Sequence, residues 1–559
     1  MNRTANLRHM ADEQFDLVIV GGGISGACLA LDASLRGLKT ALIERKDFGH
    51  ATSASSSKLL HGGIRFLQQF RVDKVRESAY ERVYFQNLVP HLCRYVPFVI
   101  PTFPGLKKGK VFLGAGAFAY QMLTLGQNRQ ARFPESKVKP PRVIGKDELR
   151  RQIPWLDDAW PATGGLVLPE CHMQSSERVT LAILRAAISA GLTAVNYAQA
   201  VSVESRSGRV AAVQVRSGDD RVEIRTNAVA NCAGPWLSLL DRHTASDETS
   251  MITSFSRGSH LVIRDLPLEC ALALPTTQKI QGMTDRGGRH VFLIPWRGHA
   301  LLGTSYAQHG DDLDDVFATN DDRRQLLDAV NGALGRTVLT DDNIAYSYSG
   351  IYPLTAANVQ SDVYQGASDY IVTDYGQRGG PAGYFSLFGA KYTTARKLAE
   401  TACDAIAKYS GKTLRACTTR SATVPEADVD DPSAFRRDAA HRYSETASPE
   451  TIEHLYANYG TELDDILTIA ADRHDLQHPL QAERPNIRAE AIYCARHEMV
   501  EHLSDFVFRR TGLGTIGDPG AAALEDSAKL IASELNWSEQ RTRQELDDTE
   551  SRFRAAVTH

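Results

Sequence analysis

The sequence predicts an α/β protein in which a nucleotide-binding domain precedes a C-terminal α-helical domain. The chain has 559 residues, whereas one hydrophobic core holds roughly 250–300, so two or three domains are expected. Residues 15–45 have the pattern of strand, glycine turn, helix and strand. From about residue 440 the apolar residues have helical spacing, as in "PETIEHLYANYGTELDDILTIAADR".

The first element is a β-α-β unit, "FDLVIVGGGISGACLALDASLRGLKTALIER". The apolar run Leu17–Val20 predicts a strand, and the glycines follow at once. Gly21, Gly23 and Gly26 hold the GxGxxG positions, which serve a tight turn, backbone approach to a pyrophosphate, and helix packing against the strand. Glu44 closes the second strand, where a carboxylate accepts hydrogen bonds from an adenosine ribose. The unit favours FAD or NAD over NADP and leaves those two open.

Composition excludes several classes of protein. A net charge of −4 gives no reason to expect a nucleic-acid partner. The eight cysteines form no CxxC pair, which favours reduced thiols in a cytoplasmic protein and predicts neither a disulfide nor a metal site. We expect no signal peptide and no membrane-spanning segment. Residues 107–126, "KKGKVFLGAGAFAYQMLTLG", are interpreted as a buried helix after a basic loop; the alternative is a helix on a bilayer surface.

Several further motifs carry a resemblance that covers nearly the whole chain. "RKDFGHATSASSSKLLHGGIRFLQ" follows the acidic strand directly, and with "GGGISGA" it resembles the FAD-dependent glycerol-3-phosphate dehydrogenase family. Other motifs resemble the landmarks of that family in the same order: "NCAGPW", "RGSHLVI", "FLIPW", "LLGTSY", "YSGIYPL", "FGAKYTTARKLAE" and "EMVEHLSDFVFRRTGLG". Many motifs in one order are far more specific than a single GxGxxG.

The resemblance implies a discontinuous Rossmann-like FAD-binding domain, a β-sheet substrate or cap domain and a C-terminal α-helical domain. We expect the oxidoreductase region at 13–420, with the cap formed mainly by about 85–170 and 245–365, a linker at 421–440 and the helical domain at 441–559. The alternating strands between about 195 and 231 are expected to return to the layer of the first sheet. A helix from about Thr393 to Lys408 should close the FAD domain.

The same resemblance implies the residues that hold FAD, which the family usually binds noncovalently. "TSASSSKLLHGG" supplies hydroxyls and exposed backbone that can wrap the flavin and its pyrophosphate, and a glycine pair lets the chain pass close to the isoalloxazine ring. His61 is expected to pack against the flavin or to bond it. The predicted cofactor-binding residues are Gly21, Gly23, Gly26, Glu44, Thr52, Ser53, Ser57, Lys58, His61, Gly62, Gly63, Gly234 and Lys391.

The implied activity is oxidation of sn-glycerol 3-phosphate to dihydroxyacetone phosphate, with hydride transfer to FAD. Such oxidation needs a base for the hydroxyl proton, and His260 in "RGSHLVI" is the candidate. Arg65 and Lys391 match the family's phosphate-side positions, and Arg178 matches another common arginine. Tyr352 is the fourth predicted catalytic residue, because it replaces an arginine in "YSGIYPL".

The sequence departs from the family pattern where the resemblance predicts the substrate pocket. Tyr352 and Ser368 stand in place of two arginines, and Ser175 and Ser176 replace an acidic pair before Arg178. Phe66 replaces a tyrosine and Ala390 a glycine. One hypothesis is that nearby cations compensate for the missing arginines. The alternative is FAD-dependent oxidation of a less anionic polyol phosphate, a hydroxy acid or an amine; a flavin-binding sensor and an NAD enzyme remain further options.

The electron acceptor is not determined by the residues. The resemblance implies quinone for a dehydrogenase at the inner face of the cytoplasmic membrane, and oxygen for related oxidases. We therefore expect a cytoplasmic protein, with peripheral membrane contact and a homodimer left open.

Overall fold

The computed structural model describes residues 2–105, 109–245, 252–276, 290–310, 312–314, 316–354, 369–389 and 391–558, without the side chains of 557 and 558. Ser368 and Ala390 lie outside the described residues. The strands are β1 (Gln14–Phe15), β2 (Leu17–Val20), β3 (Thr40–Ile43), β4 (Leu59–Leu60), β5 (Cys93–Thr102), β6 (Arg142–Gly145), β7 (Gly164–Met173), β8 (Thr193–Val195), β9 (Gln199–Arg206), β10 (Arg209–Ser217), β11 (Asp220–Thr226), β12 (Val229–Asn231), β13 (Ser254–Ile263), β14 (Ala271–Pro275), β15 (His290–Trp296), β16 (His299–Gly303), β17 (Ala307–His309), β18 (Ile344–Leu354), β19 (Ile371–Asp374) and β20 (Tyr384–Phe388).

The described residues also form α-helices and shorter helical turns. The α-helices are α1 (Arg3–Asp12), α2 (Ile24–Leu35), α3 (Val72–Leu88), α4 (Lys110–Leu123), α5 (Lys146–Gln152), α6 (Ser176–Ser189), α7 (Leu237–Ala245), α8 (Asn320–Leu334), α9 (Ala395–Ser410), α10 (Pro432–Arg442), α11 (Pro449–Tyr459), α12 (Leu463–Asp472), α13 (Ala489–His497), α14 (Leu503–Asp505), α15 (Ala521–Leu535) and α16 (Glu539–Thr558). A 3₁₀ helix covers Ile64–Gln69.

The predicted β-α-β unit is confirmed as the centre of a six-stranded sheet. Its order is β19-β20-β12-β2-β3-β8, and the strands are parallel except for β19. All four residues of β2 are buried, as expected for a strand that is covered on both faces. Apolar side chains of α2, α6 and α9 pack on one face of this sheet. The helix that was predicted at about Thr393–Lys408 is α9.

The alternating strands between 199 and 226 do not extend this layer, contrary to the prediction. β9, β10 and β11 form a separate four-stranded sheet with β1, and only the short strands β8 and β12 join the parallel sheet. Apolar and polar residues alternate along these strands, so one face of the meander β9–β11 is apolar. That face packs on the second side of the parallel sheet through Val213 and Val215. The fold therefore has three layers: helices, parallel sheet and antiparallel meander.

The predicted second sheet is confirmed as a ten-stranded, mostly antiparallel sheet. Its main order is β17-β13-β16-β15-β14-β5-β7-β4, with β18 paired to β13 and β6 paired to β7. α5 and α8 contribute to the core on one face, and α4 contributes to the core on the other.

The C-terminal helices have their own buried core, between Ala439 and Phe553. α10 begins at Pro432, inside the segment that was interpreted as a linker. The division of the chain into domains stays a prediction. Among the described residues, no helix has the length and apolar character needed to cross a membrane.

Candidate active site

The glycine turn lies at the carboxyl end of β2 and at the start of α2. Gly21 has φ +110°, and a Cβ on it would lie 2.6 Å from the carbonyl oxygen of Cys232. A Cβ on Gly26 would lie 1.9 Å from the carbonyl oxygen of Gly21, so the helix approaches the strand too closely for any side chain there. Gly23 is the N-cap of α2 and provides no side-chain cap. The first turn of α2 therefore presents backbone N–H groups that suit a phosphate.

Glu44 stands at the end of β3, beside this turn. Its carboxylate accepts hydrogen bonds from the backbone N–H groups of Gly22, at 2.7 Å, and of Lys46, at 2.8 Å. Burial raises the pKa of Glu44 above its usual value, although both of these bonds act in the opposite direction. The carboxylate thus holds the glycine turn in place and also borders the adjoining cavity.

A cavity of about 780 Å³ opens at this edge of the sheet. Eight of the predicted residues line it: Gly21, Gly23, Glu44, Thr52, Ser53, Gly234, Tyr352 and Lys391. The side chains of Arg45 and Trp236 also line it, and the guanidinium carbon of Arg45 lies 4.5 Å from the centre of the Trp236 ring. The N-terminal turn of α2, the Glu44 carboxylate and the stacked pair of Arg45 and Trp236 fit an adenine dinucleotide, because they match its pyrophosphate, its ribose and a planar ring.

The hydroxyl-rich segment 52–57 runs over one face of the strand pair β13–β18. Thr52 donates to the carbonyl of Ile351, and the Tyr348 hydroxyl donates to the carbonyl of Ser56 at 2.7 Å. A Cβ on Gly350 would lie 2.7 Å from the carbonyl oxygen of Ser55, so the missing side chain makes room for this segment. Ser53 accepts a hydrogen bond from the backbone N–H of Ile24, at 2.9 Å, and so joins the segment to α2.

His260 lies beneath this segment and is 3% exposed. Its Nε2 is 2.9 Å from the Ser57 hydroxyl oxygen, and its ring stacks on Tyr348 with centroids 5.1 Å apart. Nδ1 is buried and has no hydrogen-bond partner among the described residues. Burial, with a smaller contribution from Lys58, lowers the pKa of His260 to about 3. The imidazole is therefore neutral, as a base must be, but it is not among the residues that line the cavity.

Tyr352 is on the same face of the strand pair and lines the cavity. The Ser256 hydroxyl donates to its phenol oxygen at 3.2 Å. Tyr352 pairs with Ser256, four residues along β13 from His260, which corresponds to roughly 13 Å at the usual strand rise. Tyr352 and His260 are thus too far apart to contact the same substrate atom.

Lys391 lies against Phe66, the residue that follows Arg65 in the chain. The Lys391 ammonium is 4.1 Å from the centre of the Phe66 ring. Burial lowers the pKa of Lys391 to about 8, and the nearby charge of Lys74 acts in the same direction. Arg65 is exposed on the 3₁₀ helix, without a hydrogen bond or an ion pair within the described part of the chain. Glu77 and Asp369 also lie near Lys391 and pair with Lys74, so the surroundings of Lys391 carry charges of both signs.

Six of the predicted cofactor-binding residues do not line the cavity: Gly26, Ser57, Lys58, His61, Gly62 and Gly63. Lys58 is buried and binds Glu177 through its ammonium, with N–O distances of 2.7 and 2.9 Å. His61 is exposed, 3.9 Å from a Glu170 carboxylate oxygen. Gly62 lies against Tyr120 and Arg82, and Gly63 has φ +82° beside Ser78. Ser57 itself is placed by its bond to His260, and Gly26 by its contact with Gly21 in the glycine turn.

Arg178 is not a pocket cation, contrary to the interpretation of the sequence. Its guanidinium binds both Glu498 oxygens at 2.7 Å, so it joins α6 to the C-terminal domain. Ser175 caps α6 by accepting from the backbone N–H of Arg178 at 3.1 Å, and Ser176 lies 3.2 Å from the Lys58 ammonium. Ser175 and Ser176 therefore do not alter the cavity, since neither lines it. Glu177, one residue after this pair, supplies a buried carboxylate that binds Lys58.

Sequence reasoning missed Glu177, Tyr348 and the stacked pair of Arg45 and Trp236. Tyr348 faces His260 across the strand pair, so a correct alignment of "RGSHLVI" with "YSYSGIY" could have identified it. Glu177 and Arg45 carry no local motif, since their partners are distant in the chain.

A parallel-sheet dinucleotide site facing a second, antiparallel sheet defines a dinucleotide-dependent oxidoreductase. The family model for FAD-dependent oxidoreductases matches residues 16–395. The model for the C-terminal domain of alpha-glycerophosphate oxidase matches residues 417–542. The chain belongs to the FAD-dependent oxidoreductase family, and its cofactor is FAD.

Relatives agree with this assignment over nearly the full length. A glycerol-3-phosphate dehydrogenase of Mycobacterium leprae is 30% identical over 563 residues, covering 99% of this chain and 91% of the relative. One of Synechocystis is 26% identical over 549 residues, covering 96% and 95%. The structure of a glycerol-3-phosphate dehydrogenase from Bacillus halodurans, complexed with FAD, has a TM-score of 0.78 at 24% identity, covering 99% and 97%. That likeness supports the fold.

Proposed function

We propose that this protein oxidises sn-glycerol 3-phosphate to dihydroxyacetone phosphate, as the FAD-dependent glycerol-3-phosphate dehydrogenases do. The observation that carries the proposal is the 30% identity, over almost the whole chain, to a relative of that name. The position of Lys391 at the cavity supports it, because a dianionic phosphate needs positive charge in its pocket.

Each proposed role rests on a position in the site. FAD, when bound, accepts the hydride from the alcohol carbon. Lys391, which lines the cavity, and Arg65, on the 3₁₀ helix beside Phe66, hold the phosphate. His260 receives the hydroxyl proton. Because His260 is buried behind segment 52–57, we place the Ser57 hydroxyl between it and the substrate as the hydrogen-bonding bridge.

Anaerobic titration of the purified holoenzyme tests the function. We expect sn-glycerol 3-phosphate to bleach the flavin band at micromolar to low millimolar concentration. Glycerol, which lacks the phosphate, should bleach it far less well. A flavin that stays oxidised with glycerol 3-phosphate but is reduced by a hydroxy acid or an amine would reject the proposal. It would favour the alternative that Tyr352 at the cavity indicates, a less anionic substrate.

We also propose that the enzyme contacts a membrane through α4 and passes electrons to quinone. The sequence favoured a buried helix at 107–126, but α4 exposes an apolar face: Val111 is 88% exposed, Phe112 57% and Phe118 63%. Met122 and Leu125 continue this face along the same side. Large exposed apolar patches are typical of interaction surfaces, and a helix of this kind suits a bilayer surface.

Flotation with liposomes that contain anionic lipid tests the membrane contact. The double variant Phe112→Ser with Phe118→Ser should lose most of its binding and keep its flavin reduction. The wild-type protein is the reference, because the double variant changes only exposed apolar side chains of α4. Equal binding by the double variant and the wild type would reject the contact. A homodimer stays a prediction, which sedimentation of the detergent-free protein checks.

A further inference from the structure

A second cavity lies between the ten-stranded sheet and the C-terminal domain, apart from the active site. Its volume is about 1160 Å³, and none of its lining residues lines the dinucleotide cavity. Seven arginines and lysines line it, against three glutamates. The cavity is therefore strongly cationic, in a protein whose net charge is −4.

Two of these arginines face the cavity from opposite domains. Arg297 is at the turn between β15 and β16, and its Nη1 donates to the carbonyls of Thr511 and Gly512 at 3.3 and 3.1 Å. Arg484 precedes α13, and its Nη2 donates to the carbonyls of Gly517 and Asp518 at 3.2 and 3.4 Å. Within the described residues, the hydrogen bonds of both guanidinium groups go to backbone carbonyls.

Both guanidinium groups keep buried N–H donors that are unused. Nε of Arg297 and Nη1 of Arg484 are buried without a hydrogen-bond partner among the described residues. Burial lowers the pKa of each arginine, and nearby carboxylates, Asp518 for Arg484 and Glu177 for Arg297, offset this only in part; the charge of Arg297 also lowers the pKa of Arg484. Two like charges that are desolvated near each other are unfavourable unless an anion lies between them.

His91 adds a third unused polar group to the lining. It is 8% exposed, and both of its ring nitrogens are buried without a partner within the described parts of the chain. Burial lowers the pKa of His91 to about 3, so the neutral ring offers one N–H donor and one acceptor. The rest of the lining includes Tyr95 and Tyr456, which suit an apolar or aromatic body.

We propose that this cavity binds a small organic molecule with two phosphate groups, held between Arg297 and Arg484. A guanidinium group can donate two parallel hydrogen bonds to one phosphate group. Two arginines on separate walls therefore suit a ligand with two phosphate groups better than a ligand with a single phosphate. The ligand would bridge the substrate sheet and the C-terminal domain. It would also contact the β15–β16 hairpin, in which Gly303 of β16 leaves room for the His260 ring.

Isothermal titration of the FAD-loaded protein with pyrophosphate, with inorganic phosphate as comparator, tests this site. We expect saturable binding of pyrophosphate, a raised unfolding midpoint, and at least tenfold weaker binding of phosphate. Arg297→Gln and Arg484→Gln should each weaken pyrophosphate binding about tenfold or more, because each removes charge-assisted hydrogen bonds. Arg473→Gln is the control, because Arg473 pairs with Asp475 on the same domain and does not line the cavity.

Further comparisons separate this site from the active site. Lys391→Gln should leave pyrophosphate binding unchanged. If Lys391→Gln abolishes pyrophosphate binding while both arginine variants retain it, the anion binds in the active site and the proposal is overturned. Absence of saturable binding in the wild type would also overturn it. Because the two arginines are on different domains, one variant still tests the site if the other fails to fold, and FAD content reports folding.

Discussion

At the scale of single residues, burial sets the charge of the two groups on which the proposed reaction depends. The same desolvation lowers the pKa of His260, which keeps it neutral, and that of Lys391, which stays cationic up to about pH 8. Both shifts suit the proposed roles, because the base must be neutral and the phosphate ligand must be charged.

Replacing His260 tests the proposed base. His260→Gln should slow flavin reduction by about 10²–10⁴-fold, the usual contribution of a general base, while FAD stays bound. In the wild type, His260 is neutral above its pKa of about 3, so the rate of flavin reduction at saturating substrate should hold as pH falls below 6.5. Stopped-flow reduction across pH checks both results. An acidic limb at 6.5 or above would show that a different group titrates.

Replacing Lys391 tests the phosphate ligand. Lys391→Met should raise KM for glycerol 3-phosphate by about tenfold or more, because a hydrogen bond between charged groups is lost. In the wild type, the lysine loses its charge as pH rises through about 8, so KM should increase above that pH. Steady-state kinetics from pH 6 to 9.5 measure this. A KM that does not change with pH, in an otherwise active enzyme, would exclude Lys391 from the phosphate.

At the scale of elements, the site depends on close contacts that only glycine allows. α2 meets the glycine turn at Gly26, and segment 52–57 meets β18 at Gly350. At both places the backbone of one element packs directly against the backbone of the other. The positions of α2 and of segment 52–57 relative to the cavity are therefore closely determined.

Gly26→Ala should displace α2 from the turn and lower the FAD content of the purified protein to a small fraction of one per chain. The reason is that the new Cβ would lie 1.9 Å from a carbonyl oxygen that cannot move alone. Gly116→Ala is the control, because nothing lies within 4 Å of its Cβ position on α4. Flavin absorbance per chain measures the result, and full FAD content in Gly26→Ala would contradict it.

At the scale of the whole molecule, buried ion pairs join the C-terminal domain to the FAD domain. Arg510 binds both carboxylate oxygens of Asp47, at 2.7 and 2.8 Å, and Arg509 binds one of them. Asp47 follows Glu44 and Arg45, which line the cavity, so the C-terminal domain supports the ribose end of the cofactor site. The pair of Arg178 and Glu498 forms a second such connection.

Asp47→Asn should destabilise the protein by about 3–5 kcal/mol, because Arg510 loses the buried carboxylate that binds it and Arg509 keeps only Asp505. It should also weaken FAD binding. Burial raises the pKa of Asp47, but Arg510 and Arg509 more than offset this and hold it below its usual value. The pair thus stabilises the fold above pH 3.8, and this stabilisation is lost as pH falls through the lowered value.

Thermal unfolding and FAD titration check the Asp47→Asn variant. Arg554→Gln serves as the control, because its ion pair with Glu550 is exposed and such pairs contribute little. An unfolding midpoint equal to that of the control would contradict the role of the network.

Local patterns in the sequence were enough to predict several helices and strands and part of the candidate active site. The β-α-β unit, the glycine positions, Glu44 and α9 follow from short-range rules, because turn, strand and helix signals act within a few residues. The motif resemblance also identified the family and FAD. The same signals misassigned the 199–226 meander, since alternation predicts a half-buried strand but not the sheet that it joins.

Long-range contacts decided the rest, and only the tertiary structure contains them. Arg178 and Lys58 match motif positions, but each binds a carboxylate, on Glu498 and Glu177 respectively, and neither lines the cavity. The apolar face of α4 has the composition of a buried helix, and only packing decides whether that face is covered. The sequence by itself therefore determined the fold class, the family and the cofactor, while the tertiary structure decided which polar groups reach the site, because a side chain's partner depends on the folded position of distant residues.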